Sequence, residues 1–91
     1  MKKIIVVSGS NAFKNIVSDQ LNCNVDKLEF VYTPQEFLAS IKIVDPQLII
    51  LDYAHVDNED LIGYYTITRW YEIQMIVTNE KHNLSFSYLK N

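Results

Sequence analysis

Asp52 is the residue of this chain best placed to do chemistry, because its carboxylate ends the unbroken apolar run Leu48–Leu51. A strand that is apolar at successive positions is covered on both faces, which indicates the interior of a parallel sheet. Binding and catalytic sites of open α/β sheets form at the carboxyl ends of the strands. Asp52 is therefore a candidate functional group, and the residues beside it decide whether it still does chemistry.

The other polar side chains that could do chemistry have simpler structural explanations. His55 and His82 lie in predicted loops and far apart in the sequence, which gives little support to a metal site or an acid–base pair. Three acids, Asp57, Glu59 and Asp60, precede the third predicted helix, where the helix dipole favours negative charge. We interpret them as helix-capping residues, with a weak divalent-cation site as the alternative.

The elements that position Asp52 alternate between strand and helix along the chain. Thr33 followed by Pro34 is a strong helix-start signal, and Asp45 before Pro46 is a stop signal. Short connections between such elements imply right-handed parallel crossovers and a doubly wound, three-layer sheet. The predicted strands are Lys2–Val7, Leu28–Tyr32, Gln47–Asp52 and Met75–Thr78, and the predicted helices end near Leu21, Val44 and Tyr71. The third of these helices is predicted to begin at Asn58 or Glu59.

The C-terminal segment breaks this alternation. Only residues 79–83 separate Thr78 from the alternating apolar run Leu84, Phe86 and Tyr88, and a connection this short has hairpin length. A parallel return would need a crossover of about a dozen residues or more. The pattern predicts an antiparallel C-terminal edge strand beside a mainly parallel four-stranded sheet, with a helix as the less favoured alternative.

Composition bounds the class of protein. The 91 residues, 48% of them apolar, predict one globular domain over residues 1–91. The net charge is −3 and the basic residues are scattered, so we expect no nucleic-acid binding. Cys23 has no partner for an internal disulfide, which favours a reducing compartment. No apolar stretch approaches the ~18 to 20 residues of a membrane helix, so we expect no membrane contact. We also expect a cytoplasmic protein without a cofactor or a metal.

The pattern resembles the receiver domain of two-component response regulators, a flavodoxin-like signalling module. In that family the acid ending the third strand accepts a phosphoryl group, and the hydroxyl ending the fourth strand senses it. The resemblance implies these two roles for Asp52 and Thr78. The segments that carry the likeness are Lys3–Val7 as first strand, Asp45–Asp52 as third and Met75–Thr78 as fourth.

The chain departs from the receiver pattern where the metal would bind. The family places two magnesium-binding carboxylates after the first strand, whereas this chain has Ser8 and Gly9. Phosphoryl transfer to a carboxylate relies on a metal to neutralise charge on the transferred oxygens, and magnesium prefers carboxylate ligands. Lys90 imitates the lysine of the family's fifth strand, but an antiparallel tail carries it about 20 Å from the functional edge. With no counterpart of the fourth and fifth helices either, the chain resembles a truncated, degenerate receiver.

The third predicted helix carries apolar and aromatic residues on more than one side. At about 100° per residue these side chains do not form one stripe, so the sheet can cover only part of them. Tyrosine and tryptophan are favoured at the centres of interfaces. The alternative is a set of core tyrosines plus ordinary surface tyrosines. The candidate interface residues are Tyr64, Tyr65, Trp70, Tyr71, Phe86 and Tyr88.

These patterns predict a noncatalytic receiver-like module, a pseudo-receiver, that regulates through protein contacts and self-associates as a homodimer. It is not expected to be an enzyme. Loss of the last two receiver helices strengthens this hypothesis, because the sheet surface they would cover needs another cover. The alternative is a phosphoacceptor receiver modified at Asp52, with Thr78 as the sensor. A third hypothesis, a receiver-like amino-terminal piece of a larger regulator or ATPase, rests on the resemblance alone.

Overall fold

The computed structural model describes residues 3–21, 27–78 and 86–89, and in them strands and helices alternate, which confirms the predicted α/β class. Among the described helices, none combines the length and apolarity needed to cross a membrane. The strands are β1 (Ile4–Val7), β2 (Leu28–Val31), β3 (Leu48–Asp52), β4 (Met75–Thr78) and β5 (Phe86–Leu89). The helices are α1 (Asn11–Leu21), α2 (Pro34–Val44) and α3 (Leu61–Trp70), and two 3-10 turns, Tyr53–His55 and Asn58–Asp60, precede α3.

The first four strands form a parallel sheet in the order β2-β1-β3-β4, as the apolar runs predict, and β5 follows β4 in the strand order. Val7, the last residue of β1, lies opposite Leu51 of β3. Asp52 lies opposite Thr78 of β4. The ends of β1, β3 and β4 therefore meet on one side of the sheet, which we call the carboxyl edge.

Side chains of each strand alternate between the two faces of the sheet and build two separate cores. In β1, Ile5 and Val7 belong to one core, and Ile4 and Val6 belong to the other. The central strands contribute apolar side chains to both cores, which accounts for their apolar residues at successive positions. The buried helix residues are Phe37, Ile41 and Tyr64 of α2 and α3 in the larger core, and Phe13 and Val17 of α1 in the smaller core.

Local side-chain contacts fix where α1 and α2 begin. At α1, Ser10 Oγ accepts a hydrogen bond from the N–H of Phe13 at 3.2 Å. At α2, Thr33 Oγ1 accepts from the N–H of Glu36, while the Glu36 carboxylate accepts from the N–H groups of Tyr32 and Thr33. This is a complete capping box. The backbone donors, that of Tyr32 above all, lower the pKa of Glu36.

The third helix begins later than the sequence predicts. The acidic run forms a separate 3-10 turn, Asn58–Asp60, and α3 starts at Leu61. Asp57 and Asp60 occupy the N-cap positions of the 3-10 turn and of α3, yet neither makes a side-chain cap hydrogen bond. The acids therefore contribute through their charge near the helix N-terminus and not through cap hydrogen bonds.

Some of the predictions from the sequence concern residues outside the described ranges. This applies to the predictions for Cys23, His82, Leu84 and Lys90. It applies also to the side chains of Phe86 and Tyr88, since only the backbone of β5 is described.

Candidate functional site

Three polar side chains meet at the carboxyl edge and form a hydrogen-bonded group, the Asp52 cluster, made of Ser8, Asp52 and His55. Ser8 Oγ donates a hydrogen bond to Asp52 Oδ2 at 2.8 Å. His55 Nδ1 lies 2.7 Å from the same oxygen. Because a carboxylate ion only accepts hydrogen bonds, Nδ1 carries the hydrogen, and a protonated imidazole also forms an ion pair. The turn after β1, the end of β3 and the turn after β3 thus meet at one oxygen atom.

The turn after β1 holds Ser8 in place. Ser8 Oγ accepts a hydrogen bond from the N–H of Ser10 at 2.9 Å, and the N–H of Gly9 donates to the His55 carbonyl oxygen at 3.0 Å. A Cβ atom on Gly9 would lie 2.7 Å from the Tyr32 ring and 3.1 Å from that carbonyl oxygen. Only glycine therefore fits here without movement of its neighbours, and the two turns are tied to each other through the backbone.

The Asp52 side chain is completely buried, with 0% of its surface exposed. Oδ2 receives both hydrogen bonds of the cluster, whereas Oδ1 is buried without a hydrogen-bond partner. His55, whose side chain is 32% exposed, is the one basic group within ion-pair distance of Asp52 among the described residues. Neither oxygen of Asp52 is open to solvent in this arrangement.

Thr78 lies beside Asp52 on the neighbouring strand, as the strand-end pattern predicts. Its side chain is also 0% exposed. The hydroxyl donates to the carbonyl oxygen of Leu51 at 3.4 Å. Within the described part of the chain it makes no hydrogen bond to Asp52, so its observed partner is a backbone group of β3.

Within the same described ranges, no group of three or more His, Cys, Asp and Glu side chains is arranged to hold a metal ion. Magnesium prefers several hard oxygen ligands, at least one or two of them carboxylates. Ser8 and Gly9 supply no negative charge at the carboxyl edge, and Asp52 is the one carboxylate of its cluster. A single buried acid is a poor magnesium ligand set.

Tyr64 joins the inner side of α3 to the carboxyl edge. Its hydroxyl donates a hydrogen bond to the carbonyl oxygen of Tyr32, the residue after β2. Its ring packs edge-on against Phe37, with the ring centroids 5.4 Å apart. Burial raises the pKa of Tyr64 to about 12, with the Asp60 charge adding to the shift. Since Tyr64 is 0% exposed, it is a core residue, and its assignment to an interface is corrected.

The opposite side of α3 faces solvent. Ile62 is 75% exposed and Trp70 is 82% exposed, both unusually open for large apolar side chains. Of the other predicted interface residues, Tyr71 is 37% exposed, while Tyr65 is partly buried against the larger core. Four exposed residues at i, i+4, i+7 and i+8 share this side of the helix. We call them the outer face of α3: Ile62, Thr66, Arg69 and Trp70.

A hollow of about 250 Å³, the Trp70 hollow, lies between α2 and α3. A second hollow of about 380 Å³ is lined by Thr66, Arg69 and Trp70. Of the charged residues that line the two, both are basic, Lys42 and Arg69, and neither is in an ion pair with another described residue. The Trp70 hollow is lined by Leu38, Lys42, Thr66, Ile67, Trp70 and Tyr71.

Comparison with protein-family models, curated proteins and solved structures finds no match. The receiver resemblance stays a prediction from the sequence pattern. The Asp52 cluster and the outer face of α3 are the two features of the structure that bear on function.

His55 is the site residue that sequence reasoning misses. The sequence places it in a loop without a partner, whereas the structure pairs it with Asp52. The available signal is spacing, because a residue three positions later lies on the same side of a 3-10 turn. Detecting it requires recognising that Tyr53–His55 forms such a turn, and this segment has no periodicity that indicates one.

Proposed function

We propose that the protein is a noncatalytic receiver-like module, a pseudo-receiver, that acts in cytoplasmic signalling or regulation through protein contacts and self-association. The observation that carries the proposal is the condition of Asp52, which is 0% exposed with Oδ2 held by two donors. A phosphoacceptor must expose an oxygen to its donor and to a metal. Asp52 does neither here, which supports a structural role at the carboxyl edge.

The proposal includes a three-layer, doubly wound arrangement with an antiparallel edge strand. Separate cores containing α1 on one side and α2 with α3 on the other support the layers. The pairing of Thr78 with Phe86 and of Met75 with Leu89 supports the antiparallel direction of β5. A strand in this direction runs away from the carboxyl edge.

The outer face of α3 supports a function through contact. Ile62 and Trp70 expose large apolar surfaces to water, which is unfavourable until another surface covers them. Tryptophan is also among the residues that contribute most at interface centres. The lone Cys23 agrees with a reducing, cytoplasmic setting.

Light scattering tests this function. Over a wide concentration range, we expect the wild-type chain to shift from monomer towards dimer, because the exposed apolar surface is removed from water on association. Trp70→Ala should reduce the dimer population without changing the unfolding midpoint. Asn15→Ala, at an exposed position of α1, is the matched control. A wild-type chain that stays monomeric at the highest concentration contradicts the proposed self-association.

A phosphoacceptor receiver is the second candidate function. The register of β3 and β4 favours it, because Asp52 and Thr78 occupy adjacent strand ends, as the resemblance requires. Phosphorylation would first need the Asp52 cluster to open and release the hydrogen bonds from Ser8 and His55. A gain of one phosphoryl group that depends on Asp52 would favour this candidate.

A further inference from the structure

We propose that the outer face of α3 binds the same face of a second copy of the chain, with the two helices antiparallel across a twofold axis at Thr66. This inference rests on the proposed function, since it names the partner and the contacts of the self-association. A twofold contact of identical surfaces is the commonest way in which homodimers close.

The apolar residues of the outer face are spaced for such a contact. Ile62 and Trp70 are eight positions apart, about 12 Å along the helix axis, and Thr66 is their midpoint. When two copies of α3 cross at Thr66 in antiparallel directions, each Ile62 lies beside the Trp70 of the other copy. The most exposed apolar side chains of α3 then cover each other, and this happens twice in the dimer.

The two ends of α3 also carry opposite charges. Exposed Glu59 lies three positions before Ile62, and exposed Asp57 precedes it. Arg69 lies at the other end of the helix, where Lys42 of α2 lines the Trp70 hollow and the exposed acid Glu72 follows the helix. The two basic residues outnumber this acid, so in the antiparallel arrangement each acidic end meets an end of the other copy with a net positive charge.

The centre of the outer face permits close approach. Thr66 is exposed and is the smallest of the four outer-face residues. Antiparallel helices also place opposite dipole ends side by side.

Specific interfaces typically bury about 800 Å² per partner, and one helix pair is at the small end of that range. We therefore expect a weak dimer that salt weakens further.

Disulfide trapping tests the position of the axis. In a Cys23→Ser background, which removes the one native cysteine, Thr66→Cys places a thiol from each copy at the axis. Mild oxidation should then give a covalent dimer in high yield. Asn15→Cys in the same background is the matched control, since it is exposed on α1 and lies off the outer face of α3. Equal yields at both positions would overturn the assignment of the axis.

Charge reversal tests the pairing independently of folding. Glu59→Arg puts arginine at both positions 59 and 69, and Arg69→Glu puts glutamate at both, so each variant alone repels its own copies. We expect each dimer dissociation constant to rise at least roughly tenfold. An equal mixture of the two variants should form a heterodimer, because each contact between positions 59 and 69 then joins opposite charges. Recovery on mixing also shows that both variants are folded.

The possible outcomes separate this inference from the proposed function. A wild-type dimer that neither reversal weakens, and that Thr66→Cys does not trap, overturns the inference while self-association through another surface stands. A wild-type chain that stays monomeric at high concentration overturns both the twofold contact and the proposed self-association. A different protein would then be the partner of the outer face of α3.

Discussion

The carboxyl edge and the outer face of α3 differ in the solvent exposure of their main side chains. At the carboxyl edge, Asp52 is 0% exposed and is held by Ser8 and His55. On the outer face of α3, Trp70 is 82% exposed beside a hollow of about 250 Å³. The ionisable group lies inside, and the large apolar group lies in solvent.

The difference indicates which group stabilises each side chain, a partner within the chain or a second molecule. A buried carboxylate is unfavourable unless it is paired, and the Asp52 cluster supplies the partners within the chain. An exposed indole remains in water until a second molecule covers it. Catalysis at the carboxyl edge would require the reverse arrangement, an open carboxylate in a site with further charge. The difference supports the proposed structural role of Asp52 and the proposed contact role of Trp70.

Substitution on the buried side of α3 should lower the stability of the protein most. Tyr64→Ala removes a fully buried ring and its hydrogen bond to Tyr32, so we expect the free energy of unfolding to fall by about 3 to 5 kcal/mol. Trp70→Ala, on the exposed side of the same helix, should change it by no more than about 0.5 kcal/mol. Urea unfolding of the two variants measures both values. Similar losses for the two variants would contradict the burial of Tyr64 and the exposure of Trp70.

The next effect tests the partners of Asp52. His55→Ala leaves the buried carboxylate with Ser8 as its remaining side-chain donor, and we expect a loss of about 2 to 3 kcal/mol in unfolding free energy. The loss is below that of a fully buried pair because the His55 side chain is 32% exposed and water can replace it. Tyr53→Ala, an exposed residue in the same turn, is the control. A His55→Ala protein as stable as this control would show that His55 does not stabilise the Asp52 carboxylate.

The third prediction is a dependence of stability on alkaline pH. The phenol of Tyr64 ionises near pH 10.0 in the unfolded chain, whereas its pKa is about 12 in the folded state. The folded state therefore binds the proton more tightly, so stability is complete below pH 10.0 and falls as the pH rises towards about 12. Chemical denaturation across this window measures the slope. Tyr64→Phe should have a shallower slope than wild type, and an unchanged slope would contradict burial of the phenol.

The smallest effect compares two glycines. Gly9→Ala at the carboxyl edge should lower the free energy of unfolding by about 1 kcal/mol, because the added Cβ crowds the movable Tyr32 ring and the His55 carbonyl oxygen. Gly63→Ala in α3 should raise it by about 0.5 to 1 kcal/mol, since its Cβ meets only Pro34 at an ordinary 3.9 Å and alanine favours the helix. Thermal unfolding resolves the opposite signs. A Gly9→Ala protein at least as stable as wild type would show that the turn after β1 is not tightly packed.

Much of the fold follows from local patterns that need no knowledge of the tertiary structure. The apolar run ending at Asp52 predicts a buried strand of a parallel sheet, and β3 forms there with Ile49, Ile50 and Leu51 buried. Thr33, Pro34 and Glu36 predict the start of α2, and the capping box forms there. These predictions succeed because caps and apolar runs are properties of a few neighbouring residues.

The remaining features depend on contacts between distant segments. Apolar residues on several sides of α3 do not reveal which side meets the sheet, so Tyr64 and Trp70 both resemble interface residues in the sequence. Packing against Phe37 decides that Tyr64 is inside. The pairing of His55 with Asp52 depends on a 3-10 turn that no periodicity indicates. Sequence alone therefore finds the candidate Asp52 but not the groups that hold it.

Intact mass after incubation with acetyl phosphate and magnesium shows whether Asp52 accepts a phosphoryl group. Asp52 is buried, held by Ser8 and His55, and without a second carboxylate in its cluster. We therefore expect the mass of the wild-type chain to stay unchanged, as it should for the Asp52→Asn control. A gain of one phosphoryl group in the wild type that disappears in Asp52→Asn would contradict a structural role for Asp52 and favour a phosphoacceptor receiver.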